Sequence, residues 1–357
     1  MIKNKKNIKI HRRTALKIGV AAAAFGTVSS LLNFNEKVQA QTNINVPNLS
    51  AKMGYRIANY VPAAGTSRLG LVTEDGKIYD IGAEAKIQKV KLDFDSNSLI
   101  SLASSGNIGL QQIDKIFKGK GKASAEINKV KLLSPIPKPQ SNIYCVGWNY
   151  LEHFEEGKEA RADKGVTEYP KYPVFFSKGT QTMNEPFGNI PYDASYSTME
   201  DWEAELAVII GKKGKNISEK DAMEYVFGYS AYNDTTVRDV QQKRHSGQWF
   251  KGKSIDGHGP MGPWVVTAGG LNLDETRIIC RVNGVEKQNG SYKQMYFKIP
   301  TIISELSRGL TLLPGDIIAT GTPPGVGYSR TPAEFLKPGD VMETEVTGIG
   351  LLRNKIG

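Results

Sequence analysis

The run EDWEAELAVIIGKKGKN, residues 200–216, constrains the fold of this chain more than any other stretch. Residues 206–210 are consecutive apolar residues, which is typical of a buried β-strand, and Glu203 and Glu205 come directly before them. Because successive side chains of a strand point to opposite faces, the two carboxylates share one face. Like charges at the mouth of an apolar strand repel each other and lose hydration, so we expect a positive group between them. A solvated strand face, or a lysine or arginine partner, is the more frequent explanation of a lone Glu-x-Glu pair.

A third acid, Asp234, follows the aromatic-rich strand pattern VFGYSAY and belongs to a turn-forming Asn-Asp pair. Three carboxylates with water would suit Mg²⁺ or Mn²⁺, and Ca²⁺ is possible. The chain has 2 cysteines and 4 histidines, which disfavours zinc or copper. Cys145 and Cys280 lie in apolar β-like runs, so we expect buried thiols, and the sequence leaves open whether they pair.

The net charge of +10 belongs to the N-terminus and not to the body of the chain. Residues 1–40 contain 8 of the 46 lysines and arginines but only 1 of the 36 acids, which leaves the remainder near +3. A body this close to neutral gives no electrostatic reason to expect a nucleic-acid partner.

Residues 1–40 have the layout of a signal peptide. The basic stretch MIKNKKNIKIHRRTALK contains Arg12 and Arg13, an apolar stretch follows, and VQA precedes QTN. We expect a twin-arginine signal cleaved after Ala40, export through the twin-arginine machinery, and a periplasmic protein. A Sec signal or an uncleaved anchor is the alternative. The apolar stretch falls short of the roughly 20 residues that span a bilayer, so we expect no membrane span in the mature protein.

The rest of the chain predicts a mixed β, or α+β, protein. Residues 41–51 are expected to be a linker, residues 52–135 a small β-rich N-terminal domain with a hairpin at Asp75-Gly76, and residues 136–357 the catalytic domain. Strand patterns dominate the larger part, with helices predicted at 217–226 and 300–310. Helices do not alternate regularly with strands, and no phosphate-binding loop is present, so a doubly wound nucleotide-binding sheet is disfavoured.

Five motifs together resemble the fumarylacetoacetate hydrolase family: VGWNYLEHFEE, DWEAELAVIIGK, GYSAYNDTTVRDVQ, KGKSIDGHGPMGPWVV and SRGLTLLPGDIIATGTPPGVG. They occur in that family's order and spacing, over about residues 142–355. The resemblance implies the family's mixed β-sandwich roll, assembly as a homodimer, and Mg²⁺ or Mn²⁺ held by Glu203, Glu205 and Asp234.

The resemblance also implies catalytic residues. His153 and Glu156 match the family's His–Glu pair, and their spacing places both on one side of a helix, where Glu156 can orient the imidazole. His153 would then deprotonate the attacking water, a step worth about 10²–10⁴-fold. Lys253 matches an active-site lysine that donates to a developing oxyanion. Without the family context, a surface histidine and a loop lysine would be preferred.

The resemblance also implies substrate-binding residues. Arg238 and Gln241 match substrate-binding positions, and a planar guanidinium suits a carboxylate. Thr322, and less so Thr320, could bind that carboxylate or merely satisfy a tight turn. The charged segment 155–168 is a candidate lid. The stretch NGSYKQMYF departs from the family pattern, which leaves substrate choice open.

These residues predict a metal-dependent hydrolase that cleaves a carbon–carbon bond in a β-diketone or acylpyruvate-type 2-oxo acid. The same site would also support oxaloacetate decarboxylation, tautomerisation or isomerisation of oxo acids, or hydration of unsaturated ones. A different class of protein, an exported and non-catalytic binder of acidic ligands, is the second alternative.

Overall fold

The computed structural model describes residues 44–47, 54–63, 65–158 and 168–357. The predicted signal peptide, most of the predicted linker and residues 159–167 of the predicted lid lie outside these ranges, so those three predictions stay predictions. Within the described residues, no helix combines the length and the apolar character needed to cross a membrane.

The N-terminal region is an antiparallel meander with helices. The predicted hairpin is confirmed, because the strands Arg68–Val72 and Lys77–Asp80 pair around a turn in which the amide of Gly76 donates to Thr73 O at 3.0 Å and Gly76 has φ +73°. The elements of this region are β1 (Arg56–Val61), β2 (Arg68–Val72), β3 (Lys77–Asp80), α1 (Ile81–Ile87), α2 (Leu99–Ser104), α3 (Gly106–Lys118), β4 (Ala125–Glu126) and β5 (Lys131–Leu133).

The remaining strands alternate with few and short helices, as the sequence predicts. They are β6 (Ile143–Gly147), β7 (Val174–Lys178), β8 (Met183–Asn184), β9 (Glu200–Asp201), β10 (Ala204–Ile210), β11 (Val226–Asn233), β12 (Thr236–Val237), β13 (Gly259–Thr267), β14 (Arg277–Val282), β15 (Val285–Ser291), β16 (Ile317–Ala319), β17 (Val341–Val346) and β18 (Gly350–Lys355).

One large sheet runs through both regions in the order β4-β3-β2-β1-β13-β11-β10-β16-β6-β7, with β5 on β1 and β8 on β13. The pairs β16–β6 and β8–β13 are parallel, and the other pairs in this sheet are antiparallel. The N-terminal region joins the catalytic region through β1 and β13, where Ile57 faces Val265. Every residue of β10, β11 and β13 is buried, which accounts for their apolar runs.

A second sheet, in the order β15-β14-β17-β18, packs against the first. Val208 and Trp264 of the large sheet share one hydrophobic core with Cys280, Met342 and Leu352 of the second. This confirms the mixed β-sandwich expected from the sequence. Cys280 and Cys145 are both buried free thiols.

The helices of the catalytic region are α4 (Leu151–Glu156), α5 (Arg238–Lys243), α6 (Phe250–Lys253) and α7 (Ile299–Ser307). The last confirms the helix predicted at 300–310. The helix predicted at 217–226 is wrong, because only a 3₁₀ turn, Ala222–Tyr225, forms there. Tyr225 O accepts a hydrogen bond from the amide of Gly211 at 2.7 Å, and the next residue enters β11, so strand pairing uses the backbone that a longer helix would need.

Candidate active site

Antiparallel pairing of β10 with β11 brings three acids together. Ala204 faces Asn233, so Glu203 and Asp234 lie at the same end of the pair, and the amide of Asp234 donates to Glu203 O at 2.9 Å. Glu205 is one residue further along β10. One carboxylate oxygen from each of the three acids lies within 4.8 Å of the others, and all three side chains are buried. The predicted acidic cluster is therefore assembled by sheet register.

Two of these acids have cationic partners from the chain itself. Lys253 Nζ lies 2.6 Å from both Glu203 Oε2 and Asp234 Oδ2. Lys178 Nζ lies 2.7 Å from Asp234 Oδ1, and Arg238 Nη1 lies 2.7 Å from Glu203 Oε1. Burial would raise the pKa of Glu203, but Lys253 and Arg238 lower it to about 2. A lysine or arginine partner, the alternative left open by the sequence, is therefore present for Glu203.

Glu205 differs from its two neighbours. Among the described residues, no lysine or arginine forms an ion pair with it, and its Oε2 accepts a hydrogen bond from the amide of Gly321 at 2.8 Å. Burial raises the pKa of Glu205 well above its ordinary value, and the charges of Asp234 and Glu203 raise it further. A buried carboxylate without a cationic partner is the feature that fits an added cation.

The net charge of the cluster also favours an added cation. Asp201 belongs to it, because Arg238 Nε donates to Asp201 Oδ2 at 2.7 Å. The cluster holds four carboxylates and three cations: Glu203, Glu205, Asp234, Asp201, Lys178, Lys253 and Arg238. With all of them charged it has a net charge of −1, and each carboxylate oxygen keeps lone pairs beyond those used by the lysines and arginine. A divalent ion would make the cluster +1, which an anionic substrate would neutralise.

The predicted His–Glu pair is formed on α4. His153 Nδ1 lies 2.7 Å from Glu156 Oε1, and Glu156 Oε2 accepts from the amide of Gly325 at 2.8 Å. His153 is buried and lines the same cavity as Glu203 and Glu205. Because Nδ1 is engaged, Nε2 is the nitrogen left for proton transfer.

Arg238 and Gln241, which the sequence predicts to bind substrate, lie three apart on α5, and both line the cavity. Arg238 Nη1 donates to Gln241 Oε1 at 3.1 Å. The central carbon of the Arg238 guanidinium lies over the Tyr328 ring, 4.3 Å from the ring centroid. Arg238 Nη2 is buried and has no hydrogen-bond partner within the part of the chain that the structure describes. This nitrogen is the donor left for a bound carboxylate.

The two threonines of ATGTPPG use their hydroxyls within the fold. Thr320 Oγ1 donates to Leu206 O at 2.8 Å, and Thr322 Oγ1 donates to Ala204 O at 2.9 Å. Thr322 Oγ1 also accepts from Gln288 Nε2 at 2.7 Å. Only Thr322 of the two lines the cavity, where its hydroxyl is already bonded twice. Their evident effect is to fasten this loop to β10.

Sequence reasoning missed Lys178 and Asp201. Lys178 ends β7 and is fully buried, and burial lowers the pKa of its ammonium group. Asp201 is fully buried and accepts hydrogen bonds from the amides of Gly327 and Tyr328 at 2.7 and 3.1 Å, in addition to that from Arg238. A lysine two residues after the apolar run VFF was the available signal for Lys178. For Asp201 the only signal was its place beside Glu203.

Comparison with known proteins places these residues in context. Residues 142–357 match the family model described as fumarylacetoacetate (FAA) hydrolase C-terminal. The chain is 40% identical over 298 residues to oxaloacetate tautomerase YisK of Bacillus subtilis (strain 168), which covers 81% of this chain and 96% of that protein.

Solved structures are similar as well. A fumarylacetoacetate hydrolase from psychrophilic Exiguobacterium antarcticum superposes with a TM-score of 0.68 at 34% identity, covering 85% of this chain and 99% of that one. Maleylpyruvate hydrolase from Sphingobium sp. SYK-6, in complex with manganese(II) ion and pyruvate, gives a TM-score of 0.65 at 26% identity, covering 84% and 98%.

Proposed function

Because this chain belongs to the fumarylacetoacetate hydrolase family, we propose that it is a metal-dependent tautomerase that interconverts the keto and enol forms of a small 2-oxo acid. Oxaloacetate is the reference substrate, because the Bacillus subtilis relative that matches this chain over 96% of its own length is named an oxaloacetate tautomerase. The observation that carries the proposal is the shared cavity, in which His153, hydrogen-bonded to Glu156, lines the same space as Glu203 and Glu205 of the acid cluster.

The acids Glu203, Glu205 and Asp234 would hold the metal, and Mg²⁺ or Mn²⁺ suits an all-carboxylate donor set. A manganese complex of a structural neighbour supports a divalent ion. When bound, the ion supplies positive charge that favours the enolate form of a 2-oxo acid.

The chain's own residues carry the proton. His153 Nε2 removes a proton from C3, beside the oxo group, and the electron pair of that C–H bond becomes the C2–C3 double bond of the enol. The C2–O double bond gives its electron pair to the oxo oxygen, which takes the same proton back from the protonated His153, so atoms and charge balance. Glu156, itself held by the amide of Gly325, fixes the imidazole and stabilises its protonated form. Arg238 Nη2 binds the carboxylate, and Asp201 holds the guanidinium in place.

Carbon–carbon hydrolysis, the reaction expected first from the sequence, is the second candidate. Its support is the likeness to maleylpyruvate hydrolase. Hydrolysis needs a water molecule activated by His153 and yields two fragments, whereas tautomerisation needs only proton transfer and yields one product.

The test follows the enol absorbance of oxaloacetate with the Mn²⁺-loaded protein. We expect His153→Ala to lower kcat by about 10²–10⁴-fold, and Glu203→Gln to abolish both metal binding and turnover. His245→Ala is the matched control, because His245 is exposed and does not line the cavity. Full activity of the His153 variant would refute the proposal. Release of two fragments from an acylpyruvate, without any effect on enol decay, would favour hydrolysis.

A further inference from the structure

The cavity has two unlike sides. One side carries the charged and polar groups described above. The other is apolar and comes from the end of β6, from β7 and from the residue before α6: Val146, Gly147, Trp148, Phe176 and Trp249. We call Trp148, Phe176 and Trp249 the aromatic wall.

The rings of the aromatic wall hold one another in fixed orientations. Trp249 makes edge-to-face contacts with Trp148 at 4.9 Å and with Phe176 at 5.2 Å between ring centroids. Gly147 leaves the space that Trp249 fills, since a Cβ at position 147 would lie 2.4 Å from the indole ring. Trp148 has φ +52°, a conformation that non-glycine residues rarely adopt and that is characteristic of functional sites.

Two of these rings keep accessible surface at the cavity. Phe176 and Trp249 are each only partly buried and line the cavity, and Phe176 also packs against the hydrophobic core. Partly exposed aromatic surface beside catalytic groups is a favourable place for an apolar, planar part of a ligand.

The charged groups around the cavity leave no partner for a second substrate carboxylate at the aromatic wall. Among the described residues that line the cavity, the lysine and arginine are Lys253 and Arg238, and both already have carboxylate partners. Lys253 Nζ lies 5.2 Å from the centroid of the Phe176 ring, and this ammonium is already bonded to Glu203 and Asp234. A carboxylate placed against the aromatic wall would lose hydration without gaining a partner.

We infer that the aromatic wall binds a flat, apolar substituent on C3 of the 2-oxo acid, so that arylpyruvates are the preferred substrate class over dicarboxylates such as oxaloacetate. This inference rests on the proposed function for the position of the 2-oxo acid. Trp249 is its principal specificity-determining residue, because it contacts both other rings of the wall.

The experiment compares two non-reactive probes that differ only by a phenyl ring, oxamate and N-phenyloxamate. Binding to the full chain loaded with Mn²⁺ is measured by calorimetry. We expect N-phenyloxamate to bind at least about tenfold more tightly. Trp249→Ala should reduce this ratio to within about twofold, and Trp249→Phe should retain most of it. Phe250→Ala is the matched control, because Phe250 follows Trp249 directly, is 47% exposed and does not line the cavity.

A second variant tests the wall without removing a ring. Gly147→Ala displaces Trp249 through the added Cβ and should weaken N-phenyloxamate much more than oxamate, with thermal unfolding confirming that the variant is folded. Equal binding of the two probes by the wild-type protein would overturn the inference, as would a failure of both to bind. A Trp249→Ala variant that weakens both probes alike would also overturn it, since the wall would then be only structural.

Turnover separates this inference from the proposed function. Enol decay is measured with phenylpyruvate and with oxaloacetate. A strong phenyl preference in binding without tautomerase activity on either acid would leave the aromatic wall established and refute the proposed function. Tautomerase activity on oxaloacetate without any phenyl preference would support the proposed function and refute the role of the aromatic wall.

Discussion

At the scale of single residues, the buried acid cluster gives Glu205 a special position. Glu203 and Asp234 have lysine or arginine partners, whereas Glu205 forms no ion pair with a lysine or arginine of the described residues and accepts a hydrogen bond from the amide of Gly321. A buried carboxylate without a counter-charge destabilises the fold, because hydration is lost and Coulomb attraction does not replace it. Glu205 is therefore retained at a cost in stability, which is expected of a ligand-binding group and not of a structural one.

We predict that Glu205→Gln stabilises the metal-free protein while abolishing its response to metal. Glutamine avoids the cost of keeping a carboxyl group whose pKa burial has raised, so the free energy of unfolding near pH 7 should rise by roughly 1 kcal/mol. The wild-type protein should instead gain about 2.7 kcal/mol when Mn²⁺ is present at 100 times its Kd. Chemical denaturation with and without Mn²⁺ measures both effects.

The control is Glu224→Gln, which removes the same charge from an exposed side chain. It should change neither the stability nor the response to Mn²⁺. A Glu205 variant that is less stable than the wild type without metal would contradict the prediction.

Much of the site could be predicted at this scale, but its ion pairs could not. Glu203, Glu205 and Asp234 are marked by their positions at the ends of strong strand patterns. Lys178 and Asp201 carry no comparable signal, because their burial arises from contacts between segments that are distant in sequence: Lys178 with Asp234, and Asp201 with Arg238.

At the scale of elements, the loop of residues 320–327 joins the acid cluster to the His–Glu pair. The amide of Gly321 bonds to Glu205, and the amide of Gly325 bonds to Glu156. Gly325 has φ +106°, and a Cβ there would lie 2.1 Å from Lys287 O, a backbone atom that cannot move aside easily. The loop can hold Glu156 in this way only with glycine at position 325.

We predict that Gly325→Ala lowers kcat about tenfold, because a displaced loop no longer orients Glu156 and His153. Enol decay of oxaloacetate measures the effect. Gly339→Ala is the matched control, since Gly339 also has a positive φ, +91°, but no atom lies within 4 Å of the added Cβ. Gly339→Ala should lose about 1 kcal/mol of stability from the backbone conformation, Gly325→Ala should lose more because of the added clash with Lys287 O, and only Gly325→Ala should lose activity. Equal activity of the two variants would contradict the prediction.

The elements themselves follow from the sequence where the pattern is strong. Long apolar runs and the Asp75-Gly76 turn predict β10, β11 and the β2–β3 hairpin. The helix predicted at 217–226 does not form, because β-sheet hydrogen bonding at Tyr225 and Val226 competes with its local helical spacing. Short strands such as β9 and β12 have too few residues to show any periodicity.

At the scale of the whole molecule, the large sheet unites the N-terminal region with the catalytic region. β13 has β1 on one side and β11 on the other, and all of its residues are buried. The domain boundary predicted near residue 135 does not divide the large sheet, because that sheet contains strands from both sides of the boundary. The strand order depends on such long-range pairing, which the sequence pattern does not encode.

We predict that residues 136–357, produced without the N-terminal region, aggregate. Loss of β1 would leave the edge of β13 unpaired, and exposed apolar edges template association. Light scattering and circular dichroism test this, with residues 41–357 as the control that keeps β1. A monodisperse, cooperatively unfolding 136–357 fragment would contradict the prediction. The homodimer implied by the family resemblance stays a prediction, which sedimentation of residues 41–357 would test.

We predict that export depends on Arg12 and Arg13. Replacing both with lysine keeps the charge but removes the twin-arginine signature, so the precursor should accumulate in the cytoplasm. Cell fractionation with detection of the mature chain measures this. The control replaces Lys5 and Lys6 with arginine, which also keeps the charge and leaves the pair intact. Unchanged export of the Arg12 and Arg13 variant would favour the Sec alternative.

The lysine and arginine partners of Glu203 and Asp234 also bear on whether this protein folds before or after it binds an ion. Because most of the acidic charge is balanced internally, the polypeptide can reach its native state before it meets any ion. Starving a cell of manganese and magnesium should thus leave the amount of folded enzyme unchanged and reduce only the fraction that is active. We therefore expect ion supply to set the active fraction of this protein and not the amount that folds.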